Sequence, residues 1–544
     1  MPAAHGVIVR QSHQILFGMC NEAVRRFSTR ATAVAAAALL TGCALGPDFV
    51  APAAPQITRY TREPLAAQTA SAEGNSGETQ HFVSSRDIPQ QWWALFRSPS
   101  LNALVERSLE NNPNLQSALA TLRAAKQAVA AQQGKFFPLV QANFNPTQQQ
   151  TSSVLTPVPA SGASVFGLDT AHVLVSYTFD VWGLNHRTVE SLEALADVQR
   201  FQVEAAYLTL TANVVVAAIT EASVRGQIDA TNQLISLNTK MLDTLQRRLD
   251  AGYANRGDLA VQEAALAQAK SSLPPLRKAL AQERDLMAAL SGFYPSDGPR
   301  ETFTLADLHL PLELPVSLPS RLIEQRPDIR AAEEQYHSAS AQIGVATAAL
   351  LPNFTISADA GFMNTALAHL LAPQNVFWDL GGNATQTAID GGTLLHQLAA
   401  AKDAYQAAAW TYKGTVIAAV QNVADTLRAL QDDADALRAA RDFEAAAKTS
   451  FDLAQQQTQT GNANVLLLLT AQQTYLQANI QVVQARGARL ADTAALFQAL
   501  GGGWWNRTEP RLEELLDVGT GQASLLSGSH DGFLDSLRDA FRDH

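Results

Sequence analysis

Cys43 is the residue whose setting most clearly prescribes a reaction. It closes the string Leu40-Thr41-Gly42-Cys43, downstream of Arg25, Arg26 and Arg30 and of Ala31 to Leu40, where Thr32 is the one polar residue. A basic region, a short apolar core and small residues before a cysteine make a secretory signal. The cysteine turns it into a bacterial lipobox, so the expected chemistry is cleavage before Cys43 and acylation of that residue. Ala44 rather than Asp follows, which favours sorting to the outer membrane. The stretch before Arg25 is longer than a signal needs, and Met19 is an alternative start.

Other reactive constellations are absent from the sequence. It holds no HxxxH or HExxH pair, no GxxxxGK[ST] phosphate loop and no GxSxG nucleophile elbow. The carboxylate pairs Glu333-Glu334 and Asp432-Asp433 fall in helical segments, where a solvated face explains them better than acid–base work. Trp92-Trp93 and Trp504-Trp505 read as packing or interfacial anchors. Cys20 leaves with the signal, so the mature chain has no disulfide and no cysteine-based metal site. No enzyme activity, cofactor or metal is expected. Loss of Arg10, Arg25, Arg26, Arg30 and Glu22 moves the net charge from −11 to about −14, which argues against nucleic acid. No mature segment approaches the roughly 18 uninterrupted apolar residues of a membrane-spanning helix. Any bilayer crossing would have to use β-strands.

The elements that carry these residues occur twice. Asn111–Phe144 and Glu324–Phe362 are each a Pro-initiated, Ala-rich amphipathic segment that stops at a proline and becomes an alternating strand. Pro113 and Pro138 are 25 residues apart, as are Pro327 and Pro352. Further on, Phe179-Asp180-Val181-Trp182-Gly183 pairs with Ile389-Asp390-Gly391-Gly392. Gly252-Tyr-Ala-Asn255 then pairs with Gly461-Asn-Ala-Asn464. The offsets of 214, 210 and 209 residues agree closely, so the chain is an internal duplication. No proline occurs between Pro159 and Pro274 or between Pro373 and Pro510, which suits very long helices. Some 60 residues at about 1.5 Å each give about 90 Å. Such helices need partners along their length, as in a coiled-coil-like barrel.

Four alternating runs are expected near 138–146, 172–182, 352–362 and 376–390. Val173, Val175, Tyr177 and Phe179 alternate with Leu174, Ser176 and Thr178; Phe354, Ile356, Ala358 and Ala360 alternate with Thr355, Ser357 and Asp359. Apolar-out, polar-in runs are the pattern of outer-membrane strands, though a soluble sandwich alternates in the same way. Four strands cannot close a barrel, so the lipid-facing reading demands several chains. Pro146 to Thr170 reads as a surface loop. The domain reading is a signal over 1–42, a lipid anchor with an extended tether over 43–90, and a first repeat over 91–291. A linker over 292–320, a second repeat over 321–505 and an acidic tail over 506–544 complete it.

Four strings carry a family resemblance: Gly46-Pro47-Asp48-Phe49, Ile88-Pro89-Gln90-Gln91-Trp92-Trp93-Ala94-Leu95-Phe96, Arg326-Pro327-Asp328-Ile329-Arg330-Ala331-Ala332-Glu333, and Ala499-Leu500-Gly501-Gly502-Gly503-Trp504. With the lipobox and the duplication, the chain resembles the outer membrane efflux factors, the lipoprotein branch of the TolC-like channel family. The resemblance implies an α+β membrane protein. In it, a homotrimer forms a twelve-stranded outer-membrane β-barrel continued by a twelve-helix periplasmic α-barrel. It implies the passive exit duct of a tripartite pump for small toxic compounds. The implied partners are a periplasmic adaptor, an inner-membrane transporter of the resistance-nodulation-division type, and outer-membrane lipids. The matched turns would then be periplasmic tips where the tunnel narrows, with Gly252, Asn255 and Asp258 in one and Gly461, Asn464 and Leu467 in the other. Asp258 falls where the family carries a constriction Asp, and a first-turn acid favoured by the helix dipole explains the same residue. Where related channels place Tyr, Arg and Asp around the second turn, this chain has Thr458, Ala463 and Leu467, so fewer ion pairs and a hydrophobic ring at Leu466–Leu469 are expected. Pro138 and Pro352 would mark the helix–strand junctions. The alternatives are a protein-secretion duct of the same fold, or a pore-less periplasm-facing lipoprotein enzyme or scaffold.

Overall fold

Each half of the chain runs from two short helices through a β-hairpin pair to two long helices. The computed structural model describes residues 44–84, 86–150, 165–317, 319–459 and 465–507. The helices are α1 (Pro99–Asn111), α2 (Pro113–Gln133), α3 (Leu184–Asp250), α4 (Arg256–Leu290), α5 (Pro319–Gln325), α6 (Pro327–Ala348), α7 (Thr393–Gln459) and α8 (Val465–Ala499). The strands are β1 (His81–Val83), β2 (Leu139–Gln150), β3 (Val165–Phe179), β4 (Glu313–Pro315), β5 (Asn353–Asn364) and β6 (Val376–Thr385). α3 and α7 are both 67 residues long, and α4 and α8 are both 35. At about 1.5 Å per residue the longer pair measures about 100 Å each.

The paired aspartates noticed in sequence have a structural reason. Asp180 accepts from the amides of Asn185 and His186, each at 2.9 Å, at the start of α3. Asp390 accepts from Gly392 at 2.9 Å and Leu394 at 2.8 Å at the start of α7. Each long helix therefore opens on a carboxylate that satisfies its orphan amides. Those amide bonds, led by Leu394, hold the Asp390 carboxyl below the usual range.

The chain divides into two compact units. One contains the described residues up to Ala51, Lys126–Leu195 and Gln335–Ala409. Its centre is an antiparallel sheet in the order β2-β3-β5-β6. Pairing runs Leu139↔Ser176 to Gln150↔Val165, Phe179↔Phe354 to Asp169↔Asn364, and Asn353↔Thr385 to Phe362↔Val376. The strands consume both ends of the stretch read as a 146–170 loop, because antiparallel pairing continues through Pro146↔Asp169 to Gln150↔Val165. Main-chain pairing does not require apolar side chains, and Pro146 sits on an edge strand, where a missing donor is tolerated. The last strand, in turn, stops at Thr385 rather than near 390.

The second unit contains Pro52–Ala125, Ala196–Glu334 and the described residues from Trp410 onward. Its main core joins Trp92, Trp93, Phe96, Leu101 and Leu104 to Val215, Ile219, Leu427, Leu490 and Phe497. Trp92 stacks on Phe497 at 5.3 Å, and both residues of the first tryptophan pair are buried, so this pair is packing rather than an interfacial anchor. An 18-residue window of α3 reaches mean hydropathy 1.5, but 61% of it is buried inside the fold. α4 continues through Pro274 and Pro275. Proline therefore does not end this helix; the turn before it is made at Gly252, whose φ is +81°.

The stretch read as an extended tether is extended, but it is held along its course. In the strand unit, Asp48 pairs with buried Arg187 at 2.7 Å, and the Phe49 ring stacks on His337 at 4.5 Å. A Cβ on Gly46 would lie 2.5 Å from the Cα of Gly344. In the helical unit, β1 pairs in parallel with β4. There the fully buried Arg489 of α8 donates to Ser76 O (2.9 Å), Glu78 O (2.8 Å), Thr69 Oγ1 (2.9 Å) and Gln80 Oε1 (3.3 Å). One cation thus satisfies four acceptors of a segment with little core of its own. The signal, Cys43 and residues 508–544 lie outside the described residues.

Candidate functional site

Pairing register determines which side chains share a face, since directly opposed residues point the same way. Val140, Ala142 and Phe144 of β2 oppose Val175, Val173 and Ala171 of β3. Those lie beside Ala358, Ala360 and Phe362 of β5, which in turn oppose Leu380, Trp378 and Val376 of β6. Tyr177, Phe179, Ile356 and Phe354 extend the same face. All four strands therefore contribute to one continuous apolar surface, and much of it is open: Trp378 is 77% exposed and Leu380 64%. From Ala171 to Phe179 the surface runs about 26 Å along the strand at about 3.3 Å per residue. Strands tilted by about 35–45° would project that as a band of about 18–21 Å, a little shorter than the roughly 25 Å of an outer-membrane barrel. Toward the hairpin end the same side turns polar, with Asp169, Asn364 and Gln148.

The opposite face carries Gln141, Asn143, Ser176, Thr178, Thr355, Ser357, Asn383 and Thr385. Among the described residues β2 and β6 each have one paired neighbour, so both edges of the sheet present main-chain groups with no strand partner there. Pro138 immediately precedes β2 and Pro352 immediately precedes β5, where the Trp182 Nε1–H donates to Pro352 O at 2.8 Å.

At the turn between α3 and α4, Gly252 takes a left-handed conformation and Tyr253 is 84% exposed. Asn255 is the N-cap of α4: its Oδ1 accepts from the Asp258 amide at 2.9 Å. Asp258 lies in the first turn, partly exposed, where a carboxylate is favoured by the helix dipole. Behind it, the buried Gln262 of α4 donates to Asn238 O of α3 at 2.7 Å and ties the two helices together. Gly461, Asn464 and Ala463 of the second turn lie outside the described residues, as does the side chain of Leu466. Leu467 is 49% exposed, whereas Leu468 and Leu469 are buried. Leu468 packs with Ala454 and Ala471 against Met241 and Phe451. A hydrophobic ring over Leu466–Leu469 is therefore not available: two of those leucines are already in the chain's own core. Thr458 is buried too, its hydroxyl donating to Ala454 O at 2.7 Å.

One member of each carboxylate pair departs from a solvated face, while Asp432 is exposed. Glu333 is buried and pairs with Arg330 at 2.5 Å. Asp433 of α7 is half-buried, with its Oδ2 out of reach of any hydrogen-bond donor among the described residues; burial first, and then the neighbouring Asp492 of α8, push its carboxyl up to about 7. Sequence reasoning missed this pair and the Arg489 anchor, since neither involves neighbours on one helix.

The strings that carry the family resemblance are places of close approach. Gly501, Gly502 and Gly503 all have φ between +67° and +95°. A Cβ on Gly503 would lie 2.5 Å from Ile88 O. Trp504 Nε1–H donates to Gln325 O at 2.7 Å. Arg326 donates to Ala499 O at 2.8 Å and pairs with Asp328 at 2.7 Å. The second repeat thus starts and ends at one locus.

Duplicated long helix pairs and a sheet with one apolar face suit a membrane channel. Residues 104–292 and 318–502 match the family described as outer membrane efflux protein. They amount to more than half of the chain, which belongs to that family. The antibiotic efflux pump outer membrane protein ArpC of Pseudomonas putida is 27% identical over 479 residues, covering 86% of this chain and 94% of its own. The pyoverdine export outer membrane protein OpmQ of Pseudomonas aeruginosa is 28% identical over 427 residues, 76% and 88% of the two chains. Among solved structures, the outer-membrane channel OprN superposes with TM-score 0.74 at 24% identity, over 85% of this chain and all of that one. The Campylobacter jejuni CmeC outer membrane channel gives 0.76 at 19%, over 87% and 98%. The protein is an outer-membrane efflux channel of a tripartite pump and not an enzyme.

Proposed function

We propose that three copies of the chain close a twelve-stranded barrel, with β2 of each copy pairing to β6 of the next and the apolar face turned to lipid. The observation that carries this reading is the sheet itself: one unbroken apolar face and two unpaired edges. An isolated sheet of this kind exposes both its main-chain groups and its apolar side chains, and closure satisfies the two together. The same copies would bring three α3–α4 and three α7–α8 pairs into a twelve-helix periplasmic tunnel. Trp410 and Ile417, 68% and 59% exposed on α7, supply apolar surface for contacts between copies. The turn with Gly252, Asn255 and Asp258, and its counterpart with Gly461, Asn464 and Leu467, would form the periplasmic tips. There three Asp258 carboxylates would converge, and an adaptor coupled to a transporter of the resistance-nodulation-division type would dock. Acyl chains on Cys43 would add an anchor worth about 0.8 kcal/mol per buried CH₂. The cargo would be small toxic organic compounds, in keeping with the antibiotics and toluene of the pumps named for related proteins. A cysteine at Asn143 of β2, combined with single cysteines scanned along β6 from Phe377 to Asn383, tests the closure. Oxidation should give cross-linked species ending at three chains. Species ending at two, or none at any register, would overturn it.

A further inference from the structure

The polar face of the four-stranded sheet is almost free of charge, and its exceptions fall together. Among the described residues, the ionisable side chains on that face are His172 of β3, Asp359 of β5 and Asp379 of β6. Asp359 and Asp379 are directly opposed in the register, and His172 lies one pair along, opposite Gly361. The His172 Nδ1–H donates to Asp359 at 2.7–2.8 Å. This diagonal contact depends on Gly361, because a Cβ there would lie 2.5 Å from the Cβ of His172. Asp379 is exposed, with no hydrogen-bond or ion-pair partner among the described residues. Like charges directly opposed across a strand pair destabilise a sheet. The imidazole relieves that repulsion from one side only and leaves Asp379 unscreened.

We infer that His172, Asp359 and Asp379 form a charge-selective belt on the inner wall of the duct, with Asp379 as the specificity-determining residue favouring cationic permeants. The inference rests on the twelve-stranded closure proposed above, which turns this face inward and places three copies of the belt at one level. That level lies in the hairpin half of the sheet, since His172 adjoins Ala171 and Phe362 at the edge of the apolar band. The surrounding wall of Asn, Gln, Ser and Thr is neutral, so nothing in it opposes the field of the carboxylates. In a low-dielectric barrel, one sign of charge lining an opening concentrates counter-ions there. A belt serving only to hold the strands together would need the His172–Asp359 pair and not Asp379.

The test is the reversal potential of the purified full-length protein in planar bilayers under a KCl gradient, repeated in an Asp258→Ala background to separate the tip. Asp379→Asn should lower the cation-to-anion permeability ratio by about two-fold or more at 0.1 M salt, where the Debye length is about 10 Å. Asp379→Lys should lower it further. Both effects should shrink at 1 M, where that length is about 3 Å. Conducting Asp379→Asn and Asp379→Lys channels with the wild-type ratio at 0.1 M would overturn the belt while leaving the duct intact. Oligomers that insert but conduct no ions would overturn both.

Discussion

Replacing Asp433 by Asn should make the folded channel less sensitive to alkaline pH, and the structure gives the size of the effect. Asp433 of α7 lies beside Asp492 of α8, and its buried Oδ2 has no donor among the described residues to offset a charge. Burial, then Asp492, then the nearby Asp432, oppose the charge on Asp433, against a partial offset from Arg489. Its carboxyl keeps a proton to about pH 7 when folded and to 3.8 when exposed. A group whose folded value is raised contributes stability that is complete below the unfolded value and is lost as pH rises through the folded one. The loss therefore falls between about pH 4 and 8. At 1.36 kcal/mol per pH step it would reach about 4 kcal/mol per chain if fully expressed. Halving it for solvent around a half-buried group leaves about 2 kcal/mol. Asn has no titrating proton, so the variant should match the wild type near pH 4 and exceed it by about 2 kcal/mol at pH 8. Urea midpoints of the detergent-solubilised protein at pH 4, 6 and 8 measure this, with the difference between the two proteins as the readout. Equal pH slopes in both would refute the part given to Asp433.

Arg489→Met should free the 66–83 segment, since four acceptors lose one buried donor group, at a cost of about 3 kcal/mol; limited proteolysis should cut this segment faster, and unchanged protection would contradict it. Gly503→Ala combines a φ of +76° with a Cβ 2.5 Å from Ile88 O and should lower stability by more than about 2 kcal/mol. Gly252→Ala has a similar φ but open space around the Cβ, so about 1 kcal/mol is expected; equal thermal shifts for the two variants would refute the role given to the Ile88 contact. Ala358→Arg, amid Val175 and Leu380 on the apolar face, should cost about 2–4 kcal/mol of membrane stability per chain, read as a lower heat-resistant fraction in isolated outer membranes. Ser357→Arg on the other face should leave that fraction unchanged.

Local signals carried most of the architecture. The left-handed Gly252 followed by the Asn255 cap, the matched Asp180 and Asp390, and the period-two runs of β3 and β5 each act within a few residues, so one sequence displays them. Duplication then amplified each signal, because a chance match does not recur in order. What sequence missed depends on partners far along the chain. The 52–84 stretch has the composition of a linker, yet Arg489, more than 400 residues away, makes it part of the fold. Asp433 looked solvated because the Asp492 beside it is on another helix. Leu468 looked available for a ring because nothing local shows Met241 and Phe451 covering it. Strand ends were misjudged for a related reason: Gln148–Gln150 pair through the main chain, and composition reports only side chains.

The central claim is that the apolar-faced sheets of three chains enclose a conducting path, and single-channel recording of the purified oligomer tests it most directly. Discrete, uniform conductance steps should appear on insertion, enlarged by Asp258→Ala at the proposed tip. Bilayers that stay silent at every voltage and pH, although the protein has inserted as an intact oligomer, would contradict it.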